Sequence, residues 1–289
     1  MKPKVLVTGA AGQLGTEVVA HLATRRAEVI GITRAEVDLT RRDLVRAAVS
    51  ALGPEVVIHT AAWTAVDDCE SDPERAFLVN TLSTRNLAEA ARATGAHLCL
   101  VSTDYVFDGA TDRPYLEWDT PNPLSVYGRS KLAAEAELDP SSTIVRTAWL
   151  FGEHGSNFVK TMLRLSQQSD VLRVVDDQHG CPTAAADLAR AMTELALGRH
   201  PGVHHVTNQG AATWYELARQ TMVAAGLPAE RIEPISTKEL DPPRPAPRPE
   251  YSVLDNFVLR QSGLDLLPDW RESLHALVPR LLSQGGTVQ

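Results

Sequence analysis

Disulfide scaffolding, membrane spans and a polycationic face are all missing from this sequence. Its 289 residues include only three cysteines, Cys69, Cys99 and Cys181. Three is too few for a disulfide framework and ordinary for a reducing compartment. No stretch approaches the ~18 consecutive apolar residues of a spanning helix. After Met1-Lys2-Pro3-Lys4 the apolar run Val5-Leu6-Val7 is too short for a signal segment. Basic residues number 28 against 36 acidic ones, a formal net charge of −8, so neither nucleic acid nor an anionic membrane is expected as a partner. The nine histidines, His204-His205 among them, lack any metal-ligand spacing, and no repeat of solenoid period occurs. These absences predict a cytoplasmic protein. What is present is core-forming material: 44% of residues are hydrophobic and 22% charged. That excludes global disorder and suits one large or two modest domains.

Short β-branched runs alternate with longer segments rich in Ala, Leu, Glu and Arg. Val5–Thr8, Val29–Thr33, Val56–Thr60, Leu98–Ser102 and Ile144–Thr147 read as strands. Leu14–Thr24, Arg41–Leu52, Pro73–Ala93 and Val126–Leu138 read as the helices between them. Strands that are continuously apolar and alternate with helices indicate βαβ units in a parallel sheet covered on both faces. The expected fold is therefore α/β, a Rossmann-type doubly wound parallel sheet. After about residue 150 the rhythm becomes irregular, with helices at Asn157–Gln167, Ala185–Leu197 and Tyr215–Ala225 and a strand at Val203–Thr207. This predicts a smaller α/β substrate-binding domain over 151–177 and 207–289, with 1–150 and about 178–206 forming the dinucleotide-binding domain. Leu240 to Pro249 holds five prolines and two arginines, which suits either a stiff connector or a loop presenting Arg244 or Arg248 to an anionic ligand.

Two constellations carry chemistry. The first is Gly9-x-x-Gly12-x-x-Gly15, at the first strand-to-helix junction. There a tight turn, a backbone without Cβ atoms and a helix N-terminus together bind a pyrophosphate. A NAD site normally ends its second strand on an acid that takes the ribose 2′-hydroxyl. Here that strand ends Gly31-Ile32-Thr33-Arg34, with no acid before Glu36. Arg34 can pair with a 2′-phosphate, so NADPH is expected in preference to NADH. The carboxylate of Asp38, in Asp38-Leu39, can accept from the adenine amino group.

The second constellation is Tyr127-Gly128-Arg129-Ser130-Lys131 at a predicted helix start. Residues four apart stack on one helical face, with Cβ atoms about 5–6 Å apart. A free phenol titrates at about 10. A neighbouring ammonium favours the phenolate and brings proton exchange closer to working pH. Ser102-Thr103-Asp104-Tyr105 ends the fourth strand, where open α/β sheets bind ligands, and Thr103 there can donate to a substrate carbonyl.

In these motifs the chain resembles the extended short-chain dehydrogenase/reductases. Ala61-Ala62-Trp63-Thr64-Ala65-Val66-Asp67, Ser102–Gly109, Pro123–Gly128, Arg146-Thr147-Ala148-Trp149, Asn157-Phe158-x-x-Thr161-Met162 and Asp177-Gln178-x-Gly180-x-Pro182-Thr183 are similar to one branch, the dTDP-4-dehydrorhamnose reductases. The resemblance implies that a nicotinamide-dependent enzyme reduces C4 of a dTDP-4-keto-6-deoxyhexose. It makes Tyr127 the general acid, gives Lys131 the nicotinamide ribose and the tuning of Tyr127, and gives Thr103 the C4 carbonyl. Gly9, Gly12, Gln13, Leu14, Asp38, Leu39, Ala61 and Ala62 become cofactor contacts. Asp104, Trp149, Asn157 and Arg248 become substrate contacts, Arg248 at the diphosphate.

Some relatives dimerise around a magnesium ion held by acidic residues. Glu17 suits that role, but Ala185 and Ala186 stand where a second acid is expected. No metal is therefore assigned, and the expected state is a monomer or weak homodimer. Three alternatives remain: a 4-ketoreductase of another dTDP-deoxysugar, an epimerase or dehydratase of the same fold, and a catalytically silent regulatory subunit. Dehydratases resembling this chain carry an acid after Thr-Asp to take a C5 proton, where Tyr105 stands here. A silent subunit has no need of Thr103, Tyr127 and Lys131 together. Asp67 and Asp68 read as solvated or capping residues.

Overall fold

The computed structural model describes residues 2–285. Six parallel strands form the central sheet: β1 (Lys4–Thr8), β2 (Glu28–Ile32), β3 (Val56–His59), β4 (His97–Thr103), β5 (Thr143–Thr147) and β6 (Gly202–His205), in the spatial order β6-β5-β4-β3-β1-β2. The order reverses between β1 and β3, and such a switch point opens a crevice at the carboxyl ends of the strands. All four residues of β3 are buried, because helices cover both faces. Successive side chains of a strand point to opposite faces. Val5, Val7 and Ile58 accordingly pack on α1 (Gln13–Ala23) and α5 (Ala185–Leu197). Leu6 and Val57 pack the other way, on α2 (Arg42–Leu52) and the helix α3 that starts at Pro73.

Helix α3 departs from the uninterrupted helix expected over Pro73–Ala93. It runs as Pro73–Ala76, a π-helical turn over Phe77–Leu82, and Ser83–Thr94. The side chain of Asn80 explains the widened turn. Its Oδ1 accepts the Trp63 amide at 2.7 Å, while its Nδ2 donates to the Trp63 carbonyl and to Ser130 Oγ (3.2 and 2.9 Å). Turns of this kind commonly occur beside functional sites. Here it ties the segment after β3 to α4 (Val126–Glu135).

The chain leaves the sheet after Thr147 and returns to it with α5 and β6. Between and after these lie three two-stranded ribbons, such as Leu172–Val175 with Ile232–Ile235. The helices Phe158–Leu165, Trp214–Ala224 and Trp270–Gly285 pack beside them around Phe151, Leu217 and Trp270. The segment from Leu240 to Pro249 is an irregular strap of bends beyond its first residue. Among the described residues no helix is long and apolar enough to cross a membrane.

Candidate active site

The loop from β1 to α1 is shaped by its glycines. Gly9 sits at φ 73°, and a Cβ there would lie 2.7 Å from the Ala61 amide nitrogen. A Cβ on Gly15 would lie 2.1 Å from the Gly9 carbonyl oxygen, so only glycine lets α1 approach the turn this closely. Gly12 caps α1 without any side-chain hydrogen bond, leaving the N-terminal amides directed at the crevice. Gln13 Nε2 is buried and has no hydrogen-bond partner. A cradle closed to Cβ atoms, an uncapped helix start and an orphaned amide fit a phosphate group.

One cavity of about 320 Å³ extends from this loop and is lined by Gly9, Gly12, Arg34, Asp38, Leu39, Ala61 and Ala62. Glu36 Oε2 is taken by the amide and hydroxyl of Thr33 (2.7 and 2.8 Å), so the first acid after β2 closes its own turn. Asp38 Oδ1 accepts from the Thr40 hydroxyl and amide (2.8 and 3.0 Å). Those bonds, with Arg34 nearby, hold its carboxyl below the usual range. Arg34 stands exposed on the rim. Arg75, which also lines the cavity, lies 4.2 Å above the Trp63 ring.

A second cavity, of about 400 Å³, continues past Gly12, Gln13, Leu14 and Ala62 to Thr103, Asp104, Tyr127, Lys131 and Trp149. Helix α4 delivers Tyr127 and Lys131. Its start is fixed by Ser125 Oγ, which accepts the Gly128 amide at 3.1 Å, and by Glu70, which accepts the Val126 amide at 2.6 Å. Its end is fastened by Glu135, which receives two guanidinium bonds from the buried Arg146 of β5 (3.0 and 2.7 Å). Thr103, Asp104, Tyr127 and Lys131 are all at most 8% exposed.

Burial dominates the electrostatics. It pushes the Tyr127 phenol above its ordinary range, against a hydrogen bond with Thr103 that pulls it down. The sequence predicts an ammonium-lowered phenol; burial instead raises it, Thr103 is the group that pulls it down, and Tyr127 stays protonated at neutral pH. Burial likewise pushes Lys131 down to about 8, opposed by the Glu135 carboxylate. The Lys131 Nζ donates to the Val101 carbonyl at 2.7 Å. Asp104 is pushed up to about 6 by burial, opposed by bonds from Ser252 Oγ (2.6 Å) and Thr103 Oγ1 (3.1 Å).

An aromatic wall faces these groups. Trp149, at φ 47°, stacks on Trp214 with ring centroids 3.6 Å apart, and Phe158 tilts against Trp214 at 4.7 Å. Left-handed backbone at a bulky residue stores strain of the kind found at ligand clamps. Gly180 lies beneath, where a Cβ would sit 2.4 Å from Trp149 Cε2. Gly180→Ala is therefore expected to overpack this wall by about 1–3 kcal/mol. Thermal unfolding should show a lower Tm, and tryptophan emission should change.

The family model described as RmlD substrate binding domain matches residues 2–283. A dTDP-4-dehydrorhamnose reductase of Streptomyces griseus is 45% identical over 99% of this chain and 96% of its own length. The chain belongs to the dTDP-4-dehydrorhamnose reductase family. A dTDP-4-keto-6-deoxy-D-glucose reductase of Streptomyces niveus is 41% identical over 97% of this chain and 98% of its own. The crystal structure of a dTDP-4-dehydrorhamnose reductase from Bacillus anthracis, in complex with NADP, superposes with a TM-score of 0.93 at 36% identity, covering 97% of this chain and all of that one.

Two residues to which membership of the reductase family lent a substrate role lie outside both cavities. Asn157 caps the helix Phe158–Leu165: its Oδ1 accepts the Lys160 amide (3.1 Å) and its Nδ2 donates to the Gly152 carbonyl (2.9 Å). Arg248 is engaged by Asp67 through both terminal nitrogens (3.0 and 2.8 Å). Asp67, its side chain 24% exposed, is thus an ion-pair partner and not a capping residue. Glu17 stands 3.8 Å from the His154 imidazole, and among the described residues no three His, Cys, Asp or Glu side chains gather as a metal site requires. Tyr105, Thr147, Phe158 and Trp214 also line the second cavity, beyond the residues expected from the sequence. Thr147 had a signal, since it is the register partner of Thr103 in the parallel pair β4–β5. Its hydroxyl is buried without a hydrogen-bond partner.

Proposed function

We propose that the protein reduces the C4 ketone of a dTDP-4-keto-6-deoxyhexose, dTDP-4-dehydro-L-rhamnose in the first instance, with NADPH as reductant. The observation that carries this reading is the placement of Tyr127, Thr103 and Lys131 in one cavity continuous with the glycine cradle. The segments 1–150 and about 178–206 hold the dinucleotide; 151–177 and 207–289 supply the sugar-nucleotide side. Gly9, Gly12, Gln13 and Leu14 take the pyrophosphate, Arg34 the 2′-phosphate, and Asp38, Leu39, Ala61 and Ala62 the adenosine.

Bound there, the reduced nicotinamide supplies a hydride to C4. Tyr127 Oη donates its proton to the C4 oxygen as negative charge develops on it, and the Thr103 hydroxyl hydrogen-bonds the same oxygen. Lys131 holds the nicotinamide ribose, and its ammonium offsets the charge left on the Tyr127 oxygen. Trp149 and Asp104 bound the sugar. Because the family includes reductases of more than one 4-keto sugar, the product hydroxyl is read by NMR. Stoichiometric NADPH oxidation with dTDP-4-dehydro-L-rhamnose supports the reading; sugar isomerisation without net cofactor consumption overturns it.

Arg34 gives a separate expectation. Arg34→Ala should lower kcat/KM for NADPH at least tenfold, while NADH changes little, because only the former carries the anion that a guanidinium binds bidentately. Parallel assays with both cofactors check it.

A further inference from the structure

We infer that Gln178, oriented by Thr237 and Asp177, is a positioning residue: it holds the Trp214 indole, and through it the Trp149 ring, in the wall against which the sugar lies. This role rests on the proposed reduction for the identity of the substrate.

Gln178-His179-Gly180 runs into a two-residue strand that pairs antiparallel with Ala212–Thr213, just before Trp214. Side chains two apart along an extended segment face the same side. Here that side is the aromatic stack. At Gly180 there is no room for a Cβ, which would lie 2.4 Å from Trp149 Cε2. At Gln178 the side chain, 5% exposed, reaches Trp214 instead: its Oε1 accepts from the indole Nε1 at 3.2 Å.

The amide of Gln178 cannot turn end for end. An indole nitrogen is a donor only, so Trp214 requires the carbonyl oxygen. Gln178 Nε2 donates in turn to Thr237 Oγ1 at 2.9 Å. The Thr237 hydroxyl donates its single hydrogen to Asp177 Oδ1 at 2.6 Å and can therefore only accept from Gln178. Asp177 is itself held by the Thr237 amide, at 3.0 and 2.8 Å to its two oxygens. A carboxylate thus sets the direction of every bond from Asp177 to Trp214.

This chain of bonds governs the indole and not the helix that carries it. The helix Trp214–Ala224 starts in a capping box: Thr213 Oγ1 accepts the Glu216 amide (3.1 Å), and the Glu216 carboxylate accepts the Thr213 amide (2.8 Å). Thr213 Oγ1 also donates to Asp176 Oδ1 at 2.6 Å. Those bonds place the Trp214 backbone and leave the rotation of its side chain open. Trp214 and Trp149 stack at 3.6 Å with 7° between their planes, so displacing one displaces the other. Trp149 keeps its left-handed backbone only while its surroundings hold it there. Both rings line the catalytic cavity, and neither is assigned to the reacting oxygen. The wall therefore binds ground state and transition state alike, and its loss raises KM without lowering kcat.

The test uses the full chain with NADPH and dTDP-4-dehydro-L-rhamnose. Gln178→Leu keeps the bulk of the side chain but offers the indole no acceptor. It is expected to raise KM for the sugar nucleotide about tenfold, the scale of one buried hydrogen bond lost. Both kcat and the calorimetric Kd for NADPH should stay within about twofold. Trp214→Phe removes the indole N–H, so Gln178→Leu should add nothing to it; effects that multiply in the double variant overturn the inference. A Gln178→Leu protein with a lower Tm and an unmoved KM also overturns it, since the contact is then structural alone. If Gln178→Leu does not fold, Thr237→Val decides, because Thr237 is exposed and its loss frees the amide to turn. A raised KM then supports the positioning role, and an unmoved KM overturns it. A wild type that turns over no sugar nucleotide refutes the proposed function. Wild-type turnover with KM unmoved by Gln178→Leu refutes only the tie to Trp214.

Discussion

Tyr127→Phe is expected to lower kcat by about 10²–10⁴-fold, the usual contribution of a positioned general acid, while NADPH binding is retained. The substitution removes one oxygen and leaves the ring that packs in the Cys69, Ala76 and Val126 cluster, so the fold has little reason to change. What disappears is the proton. Desolvation keeps the Tyr127 phenol protonated, the form needed to protonate an alkoxide as it develops. Thr103 alone can still hydrogen-bond the C4 oxygen, so activity should fall to a residue above zero. Cofactor titration by fluorescence and single-turnover NADPH oxidation separate the two effects. A variant with wild-type turnover would remove Tyr127 from the chemistry.

The parts of this site legible in the sequence are those fixed by local geometry. The turn from Thr8 to Gly15 needs glycine at set places, because Gly9 takes a left-handed φ and Gly15 meets a carbonyl. Tyr127 and Lys131 share a face because four residues make about one turn. Their electrostatics were not legible, since burial of a phenol depends on what the whole chain packs around it. Nor was the tie between Asp67 and Arg248, which joins residues 181 positions apart. Asn157 shows a local signal that was open to reading: an Asn immediately before an apolar helical run is a common N-cap. In the aromatic wall Phe158 stood in a motif shared with the reductases, whereas Trp214 offered no signal, because it looks like an ordinary core residue at the start of its helix. The π-turn of α3 was hidden for a similar reason: it depends on Asn80 finding the backbone of Trp63.

Lys131→Met is expected to lower kcat by on the order of 10²–10³-fold, the scale seen on losing one preorganised electrostatic contact. The ammonium is held by the Val101 carbonyl at 2.7 Å, and its charge must remain for the phenolate that Tyr127 becomes. Since burial brings Lys131 down to about 8, wild-type turnover should decline as pH rises through about 8. Lys131→Arg, which does not deprotonate in this range, should lose activity through misfit yet show no such decline. Stability moves in the opposite sense. Between the folded value of about 8 and the unfolded value of about 10.4, the unfolded chain binds more protons, so this group's contribution to stability rises with pH. The buried thiols Cys69, Cys99 and Cys181, pushed up by desolvation, act the other way above their unfolded value. They are common to wild type and Lys131→Met, and cancel in the difference. Denaturant melts across pH 7–10 should therefore show wild type gaining on the methionine variant over the range in which its activity falls, and parallel declines would mean that unfolding, and not loss of the ammonium, sets the alkaline limb.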